Sequence, residues 1–119
     1  MKLIYHLCPV DYYKSIPANQ AYLPLEFDRE GFIHCTRGAE QVVVVANRYY
    51  RNDDVRPLLL LVIDEERLTA EIKNEFAEDG LAYPHLYGPL NRDAILSVVR
   101  MPRLPDGSFQ FPDRDQTRS

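Results

Sequence analysis

The chain has 119 residues, which suffice for one domain with a single core and leave no room for a second. Hydrophobic residues make up 45% of the sequence and charged residues 27%, which excludes an intrinsically disordered chain. The formal net charge of -4 argues against duplex DNA as a partner, because nonspecific affinity for nucleic acid comes from Lys and Arg that neutralise phosphates. The longest apolar run, Leu58 to Ile63, is too short to span a membrane. Two cysteines are too few for a disulfide framework and no secretory signal pattern is present, so we expect a cytoplasmic protein.

The first half of the chain predicts two strands, each followed by a helix. Residues 2–7 predict a strand and residues 9–14 a short helix, since proline suits the first helical position. Residues 16–30 have no sustained period and predict a loop with one turn of helix. Residues 32–35 predict the second strand, and residues 39–51 a helix. Four consecutive valines in this helix favour a strand by propensity, but the helical spacing decides. Its apolar stripe consists of Val42, Val43, Ala46, Tyr49 and Tyr50.

The second half predicts mainly strands. They lie at residues 58–63, 69–75, 83–87 and 94–101. The first of them is entirely apolar, which predicts a central strand buried on both faces. Phe109 and Phe111 predict an edge strand. This order of elements predicts an α+β domain over residues 1–112, with a mixed, mostly antiparallel sheet and a few helices, and a frayed tail at residues 113–119.

The chain has three histidines, His6, His34 and His85, each in a short aromatic segment. Imidazole titrates near neutral pH and can exchange hydrogen bonds with a sugar or a phosphate. Side chains along a strand alternate between faces. The residues expected to share a face with the three imidazoles are therefore, in chain order, Ile4 and Cys8, then Phe32 and Thr36, then Tyr83 and Tyr87. The functional hypothesis requires that the three rings converge on one solvent-accessible hollow.

Four segments resemble a bacterial family, the domain of unknown function 952. They are Ile4-Tyr5-His6, Gly31-Phe32-Ile33-His34-Cys35-Thr36, Leu68-Thr69-Ala70-Glu71 and His85-Leu86-Tyr87-Gly88-Pro89-Leu90-Asn91. The similarity runs from about Leu3 to Val99, and the segments are far more specific together than singly. This resemblance implies an ADP-ribosyltransferase-like fold, near the RNA two-prime-phosphotransferases that use NAD.

The same resemblance implies an NAD-using transferase of ADP-ribosyl groups or of RNA two-prime-phosphates, with NAD as co-substrate and the three histidines as catalytic residues. His6 would hydrogen-bond the nucleotide ribose, and His34 would lie beside the nicotinamide ring. The residues implied to bind the cofactor are His6, Thr36, Arg37, Tyr83 and Tyr87. The glutamate that many transferases use to activate the acceptor has no counterpart among residues 83–90, and Glu75 is the nearest candidate. This departure favours a phosphate-accepting reaction or simple nucleotide binding over protein ADP-ribosylation.

Independent chemical reasoning points to the same kind of ligand. The helix that follows Arg37-Gly38 directs free N–H groups at an anion, so this corner could hold a phosphate. Further contacts to a nucleotide or an RNA end could come from Arg48, Arg51 and Arg92.

Three alternatives remain open. The first is a noncatalytic module that binds a nucleotide or ADP-ribose. The second is a metal site, since zinc could bind His6, Cys8, His34, Cys35 and His85. No spacing typical of zinc ligands occurs and Cys35 is expected to point away from His34, so we predict no metal site. The third is structural, with the histidines and tyrosines as packing residues and Thr36 as a helix cap.

Overall fold

Six strands and three helices make up the computed structural model, which describes residues 2–51 and 57–112. In chain order they are β1 (Leu3–Pro9), α1 (Val10–Ser15), α2 (Phe27–Glu30), β2 (Ile33–His34), α3 (Ala39–Tyr50), β3 (Leu58–Asp64), β4 (Glu71–Phe76), β5 (Ala82–Tyr87) and β6 (Ile95–Arg100). Two 3-10 turns, Glu65–Arg67 and Arg92–Ala94, follow β3 and precede β6. The predicted α+β class is confirmed, whereas the tail predicted for residues 113–119 lies outside the described residues.

The strands form two separate three-stranded sheets. The first sheet has the order β1-β3-β6 and the second the order β2-β5-β4. All pairs of these strands are antiparallel, so the prediction of one mixed sheet is wrong. Residues 10–32 reverse the direction of the chain, so the segment after β2 runs antiparallel to β1. It meets β1 in an isolated bridge between Thr36 and Tyr5 and not in a continuous ladder. Their backbones exchange two hydrogen bonds of 2.8 and 2.9 Å, and this bridge joins the sheets.

Strand β3 lies at the centre of the first sheet, and all of its residues are buried. Its alternate side chains enter two hydrophobic clusters on opposite faces of the sheet. The first cluster contains Leu59, Leu61 and Ile63 and extends to Ile33 and Leu86 of the second sheet. The second cluster contains Leu58, Leu60 and Val62 together with the buried face of α3. The prediction of a central strand buried on both faces is confirmed.

Helix α3 forms despite its four valines, because its i, i+4 stripe has an apolar surface to cover. Val42 and Ala46 are fully buried, and Val45 and Tyr50 pack against the same cluster. Tyr49 is 68% exposed, so its predicted place in the stripe is wrong.

The predicted edge strand around Phe109 does not form. Phe109 makes a single bridge to Arg103, and its ring is buried in the second cluster. Phe111 packs edge-on against Tyr5, with ring centroids 5.5 Å apart. Aromatic packing therefore fixes this segment in place of a hydrogen-bonded ladder. Among residues 2–51 and 57–112, no helix has the length and apolar character that crossing a membrane requires.

Candidate functional site

Two of the three histidines meet on the second sheet. His34 and His85 are cross-strand partners in β2 and β5, and their ring centroids lie 5.2 Å apart. Phe32 stacks on the ring of His85 at 4.1 Å and touches His34 edge-on at 4.8 Å. The ring of Tyr87 lies 5.4 Å from Phe32. We call the surface formed by Phe32, His34, Glu75, His85 and Tyr87 the histidine face.

A carboxylate holds each imidazole of this pair. His34 Nε2 donates to Glu30 Oε2 at 2.7 Å, and His85 Nδ1 donates to Glu75 Oε1 at 2.8 Å. The Tyr87 hydroxyl donates to the same oxygen of Glu75. Hydrogen bonds from Tyr87 and His85 lower the pKa of Glu75, and the bond from His34 lowers the pKa of Glu30. Both carboxylates are therefore ionised at neutral pH and fix the orientation of the rings.

The two imidazoles differ in how far solvent reaches them. The side chain of His34 is 58% exposed, whereas that of His85 is 12% exposed beneath Phe32. Lys73 is the cross-strand partner of His85 in β4, so an ammonium continues the row of the two imidazoles across the sheet. Its Nζ lies 4.8 Å from the ring centroid of Tyr87. The exposed end of the histidine face thus offers an imidazole nitrogen and an ammonium donor beside aromatic rings.

His6 does not belong to this surface. It is 7% exposed, its Nδ1 donates to the backbone carbonyl of His34 at 2.6 Å, and its Nε2 lies 3.3 Å from the Tyr22 hydroxyl. Burial lowers the pKa of His6 to about 4, so the ring is neutral at physiological pH. The expectation that all three imidazoles line one solvent-accessible hollow is therefore wrong, because the first of them is buried against Tyr22.

Among the other residues implied to bind the cofactor, Tyr87 lies on the histidine face and Tyr83 lies opposite Glu75 on β5, whereas Thr36 and Arg37 lie elsewhere. Thr36 is buried, and its backbone forms the bridge between the sheets. The Arg37 guanidinium lies 2.5 Å from Glu65 and donates to Asn74 at 3.1 Å. The positive charge that was expected to bind a phosphate is therefore paired with a carboxylate. The Tyr83 hydroxyl donates to Asp79 at 2.5 Å and accepts from Gln41 at 2.7 Å.

The three arginines proposed as further contacts do not converge either. Arg48 pairs with Asp79 at 3.6 Å, and Arg51 pairs with Asp106 at 3.7 Å. The Arg92 guanidinium donates to three backbone carbonyls and one tyrosine hydroxyl. Its acceptors are Gln20, Ile16, Pro17 and the hydroxyl of Tyr13. Arg92 therefore fastens the loop after α1 to the turn before β6.

The metal alternative finds no support in the geometry. Within residues 2–51 and 57–112, no group of three or more His, Cys, Asp or Glu side chains is placed to hold a metal ion. Cys35 is buried and lies opposite the exposed His34, as the strand alternation predicted. Burial raises the pKa of Cys8 and of Cys35 to about 12, so neither thiol is an activated nucleophile.

The sequence analysis missed Glu30 and Lys73, and it named Glu75 only as a residue near the site. A signal for the last two was present, since residues 73 and 75 alternate with the same period as residues 83, 85 and 87 on the paired strand. Glu30 had no such signal, because it lies on α2 before the turn at Gly31. That glycine has φ 80°, a left-handed conformation that ends the helix and brings the carboxylate back onto His34.

Comparison with known proteins finds solved structures that resemble this chain. A search of the curated proteins finds no match. Two crystal structures of protein CC0527 from Caulobacter crescentus, one of them a double mutant, are 27% and 26% identical, with TM-scores of 0.78 and 0.77. Each comparison covers 91% of this chain and 93% of the other. The solution structure of CC0527 is 27% identical, with a TM-score of 0.73 and 91% of each chain covered.

None of these comparisons supports the resemblance to the ADP-ribosyltransferase-like fold. The family model described as "Protein of unknown function (DUF952)" matches residues 7–98. This range includes β2, β4 and β5, and with them the entire histidine face. The chain belongs to the DUF952 family of proteins of unknown function.

Proposed function

We propose that this protein binds a small nucleotide on the histidine face. The observation that carries the proposal is the pair of imidazoles on neighbouring strands, each held by a carboxylate within an aromatic surface. Structural packing alone gives little reason to orient two imidazoles so closely on a sheet surface where one side chain is 58% exposed. Ordered polar groups beside aromatic rings are what a phosphorylated sugar and a base require.

The chemistry divides the ligand between the two ends of the face. Phe32 and Tyr87 offer ring surfaces on which a base or nicotinamide can stack. His34 Nδ1 can accept from a ribose hydroxyl, since Nε2 donates to Glu30, and Lys73 offers an ammonium donor for phosphate oxygens. The carboxylates Glu30 and Glu75 accompany the ammonium of Lys73 on this surface, and the net charge of the chain is -4. Both features favour a single nucleotide over a long nucleic acid, whose affinity depends on many cations.

Titration calorimetry with AMP, ADP-ribose and NAD tests this proposal. We expect saturable binding of at least one of them and about tenfold weaker binding by His34→Ala, which corresponds to about 1.4 kcal/mol. Tyr49→Ala is the matched control, because Tyr49 is an exposed aromatic residue on α3 outside the histidine face. Absence of binding by all three ligands, or equal weakening by the control, contradicts the proposal.

A second candidate function is transfer chemistry with NAD as co-substrate, and Glu75 favours it. In this reaction the bond between ribose C1′ and the nicotinamide nitrogen breaks, and an acceptor oxygen forms the new bond to C1′. Positive charge develops on the ribose as neutral nicotinamide leaves. An ionised carboxylate 2.8 Å from His85 could stabilise that charge and receive the acceptor's proton. The acceptor would be a phosphate, an RNA end or water.

Release of nicotinamide separates the two candidates. Protein is incubated with NAD, with and without an oligonucleotide that carries a two-prime-phosphate, and nicotinamide is measured by chromatography. Transfer predicts release that Glu75→Gln lowers by about a hundredfold, as expected for loss of an electrostatic stabiliser. Binding of NAD with no release in either mixture eliminates transfer and leaves the binding protein.

A further inference from the structure

His6 lies beneath the histidine face, and one of its ring nitrogens bonds to the strand that carries His34. Its Nδ1 donates to the His34 carbonyl at 2.6 Å, short for a nitrogen donor. Strand β2 consists of only two residues, Ile33 and His34, so its own ladder supplies few restraints. This contact from β1 therefore adds a restraint on the His34 carbonyl to those from its pairing with His85 and from the neighbouring Cys35 N–H, which donates to the Pro84 carbonyl.

The imidazole of His6 is itself fixed from its other side. The Tyr22 hydroxyl lies 3.3 Å from its Nε2, and the two ring centroids are 5.5 Å apart. Tyr22 is fully buried, and its backbone exchanges hydrogen bonds of 2.9 and 3.0 Å with Leu90. Burial keeps His6 neutral, so with Nδ1 as donor the Nε2 atom is left as an acceptor for Tyr22. The ring cannot turn without breaking both contacts.

We infer that His6 is a positioning residue, which sets the place of the exposed His34 ring by holding the His34 carbonyl and which touches no ligand. The sequence resemblance assigned the same residue to a nucleotide ribose, whereas in the structure it is buried and contacts Tyr22. A displaced His34 backbone would move its ring relative to His85 and Glu30. Reacting and binding groups tolerate such shifts poorly, since a misplacement of about 1 Å can lower a rate about a hundredfold.

Two variants separate the hydrogen bond from the bulk of the ring. His6→Asn keeps a donor close to the position of Nδ1, whereas His6→Leu keeps apolar volume and removes the donor. The readout needs no ligand: the side-chain NMR signals of His34 and His85 are the only imidazole signals left in either variant. We expect His6→Leu to change the chemical shifts of the His34 ring, and His6→Asn to restore them.

A destabilised control excludes a general effect of weakened packing. Asn47→Ala removes a hydrogen bond of 2.7 Å to the Phe109 backbone, on the far side of the first sheet, and should leave the His34 and His85 signals unchanged. Unchanged signals in His6→Leu, or equal changes in the Leu and Asn variants, overturn the inference. If His6→Leu does not fold, the inference is tested on the wild type by nuclear Overhauser contacts. Its His6 Nδ1 proton should show contact with β2 and none with added ADP-ribose, and a nuclear Overhauser contact to the nucleotide overturns the inference.

The ligand part of the experiment rests on the proposed function, and the NMR part does not. If nucleotides bind, His6→Leu should weaken ADP-ribose binding by about tenfold, or about 1.4 kcal/mol, and His6→Asn should recover most of it. If no nucleotide binds, the proposed function fails while the imidazole signals still test the role of His6.

Discussion

Environment assigns different roles to the same side chain in this protein. His6 and His34 are joined by one hydrogen bond, yet the first is 7% exposed and the side chain of the second is 58% exposed. Burial makes His6 a neutral donor to the backbone, whereas exposure leaves His34 free to meet a ligand. The local sequence around each histidine is a similar aromatic strand, so this difference comes from tertiary contacts such as that with Tyr22, which is 16 positions away from His6.

The buried imidazole should make stability depend on pH. Burial lowers the pKa of His6 from 6.5 to about 4, so as pH falls the unfolded chain takes up a proton before the folded one does. The stabilisation is complete above about pH 6.5 and is lost towards pH 4, at about 1.4 kcal/mol per pH unit. We expect the urea midpoint of the wild type to fall between pH 6.5 and 4.5, and that of His6→Asn to fall much less. Parallel curves for the two proteins would show that His6 does not cause the dependence.

The exposed carboxylate of the histidine face gives a separate prediction. The hydrogen bond from Tyr87 is the largest cause of the lowered pKa of Glu75. Tyr87→Phe should therefore move the pKa of Glu75 back towards its ordinary value, which carbon NMR of the carboxyl group can follow. The thermal midpoint should barely change, because the side chain of Glu75 is 42% exposed and solvent screens the interaction. Tyr83→Phe is the control, since its hydroxyl bonds to Asp79. An unchanged titration of Glu75 in Tyr87→Phe contradicts this attribution.

At the scale of elements, the hydrophobic pattern predicts what each strand buries. The apolar run at residues 58–63 predicts a strand buried on both faces, and the alternation around His34 predicts that Cys35 points inward. Both are confirmed because each depends on the local period of two. The division into two sheets could not be predicted in this way, since no local pattern says whether β2 pairs with β1 or with β5. Nor could periodicity place Glu30, whose contact depends on the left-handed turn at Gly31.

Cross-strand neighbours in the first sheet test how burial sets the contribution of a side chain. Leu61 and Val98 are directly opposite each other in β3 and β6, yet Leu61 is fully buried and Val98 is 44% exposed. Leu61→Ala should lower the free energy of unfolding by about 2–5 kcal/mol, because it leaves a cavity in the first cluster. Val98→Ala should change it by no more than about 0.5 kcal/mol. Urea denaturation measures both, and similar losses would mean that the edge strand is buried in solution.

At the scale of the whole molecule, the second sheet depends on the first. The two sheets share the first hydrophobic cluster, exchange hydrogen bonds between Tyr5 and Thr36, and are tied again by the contact from His6 to His34. A three-stranded sheet with a two-residue edge strand has little stability of its own. The candidate site therefore lies on the second sheet, and the packing of that sheet against the first cluster keeps it folded. The sequence pattern therefore indicated His34 and His85 correctly. It could not show that His6 lies in the core, because that depends on how the two sheets pack together.

This dependence predicts that the molecule unfolds in one cooperative transition. Residues of both sheets lie in one cluster, which contains Ile33 and Leu86 from the second sheet and Leu61 from the first. Loss of either sheet would expose that cluster, so a half-folded state should not be populated. The imidazole signals of His34 and His85 report on the second sheet, and the methyl signals of Leu60 and Val62 report on the first. We expect one urea midpoint for both sets, equal to that of far-ultraviolet circular dichroism. An earlier midpoint for the imidazole signals would mean that the histidine face melts independently and that His6 does not couple it to the core.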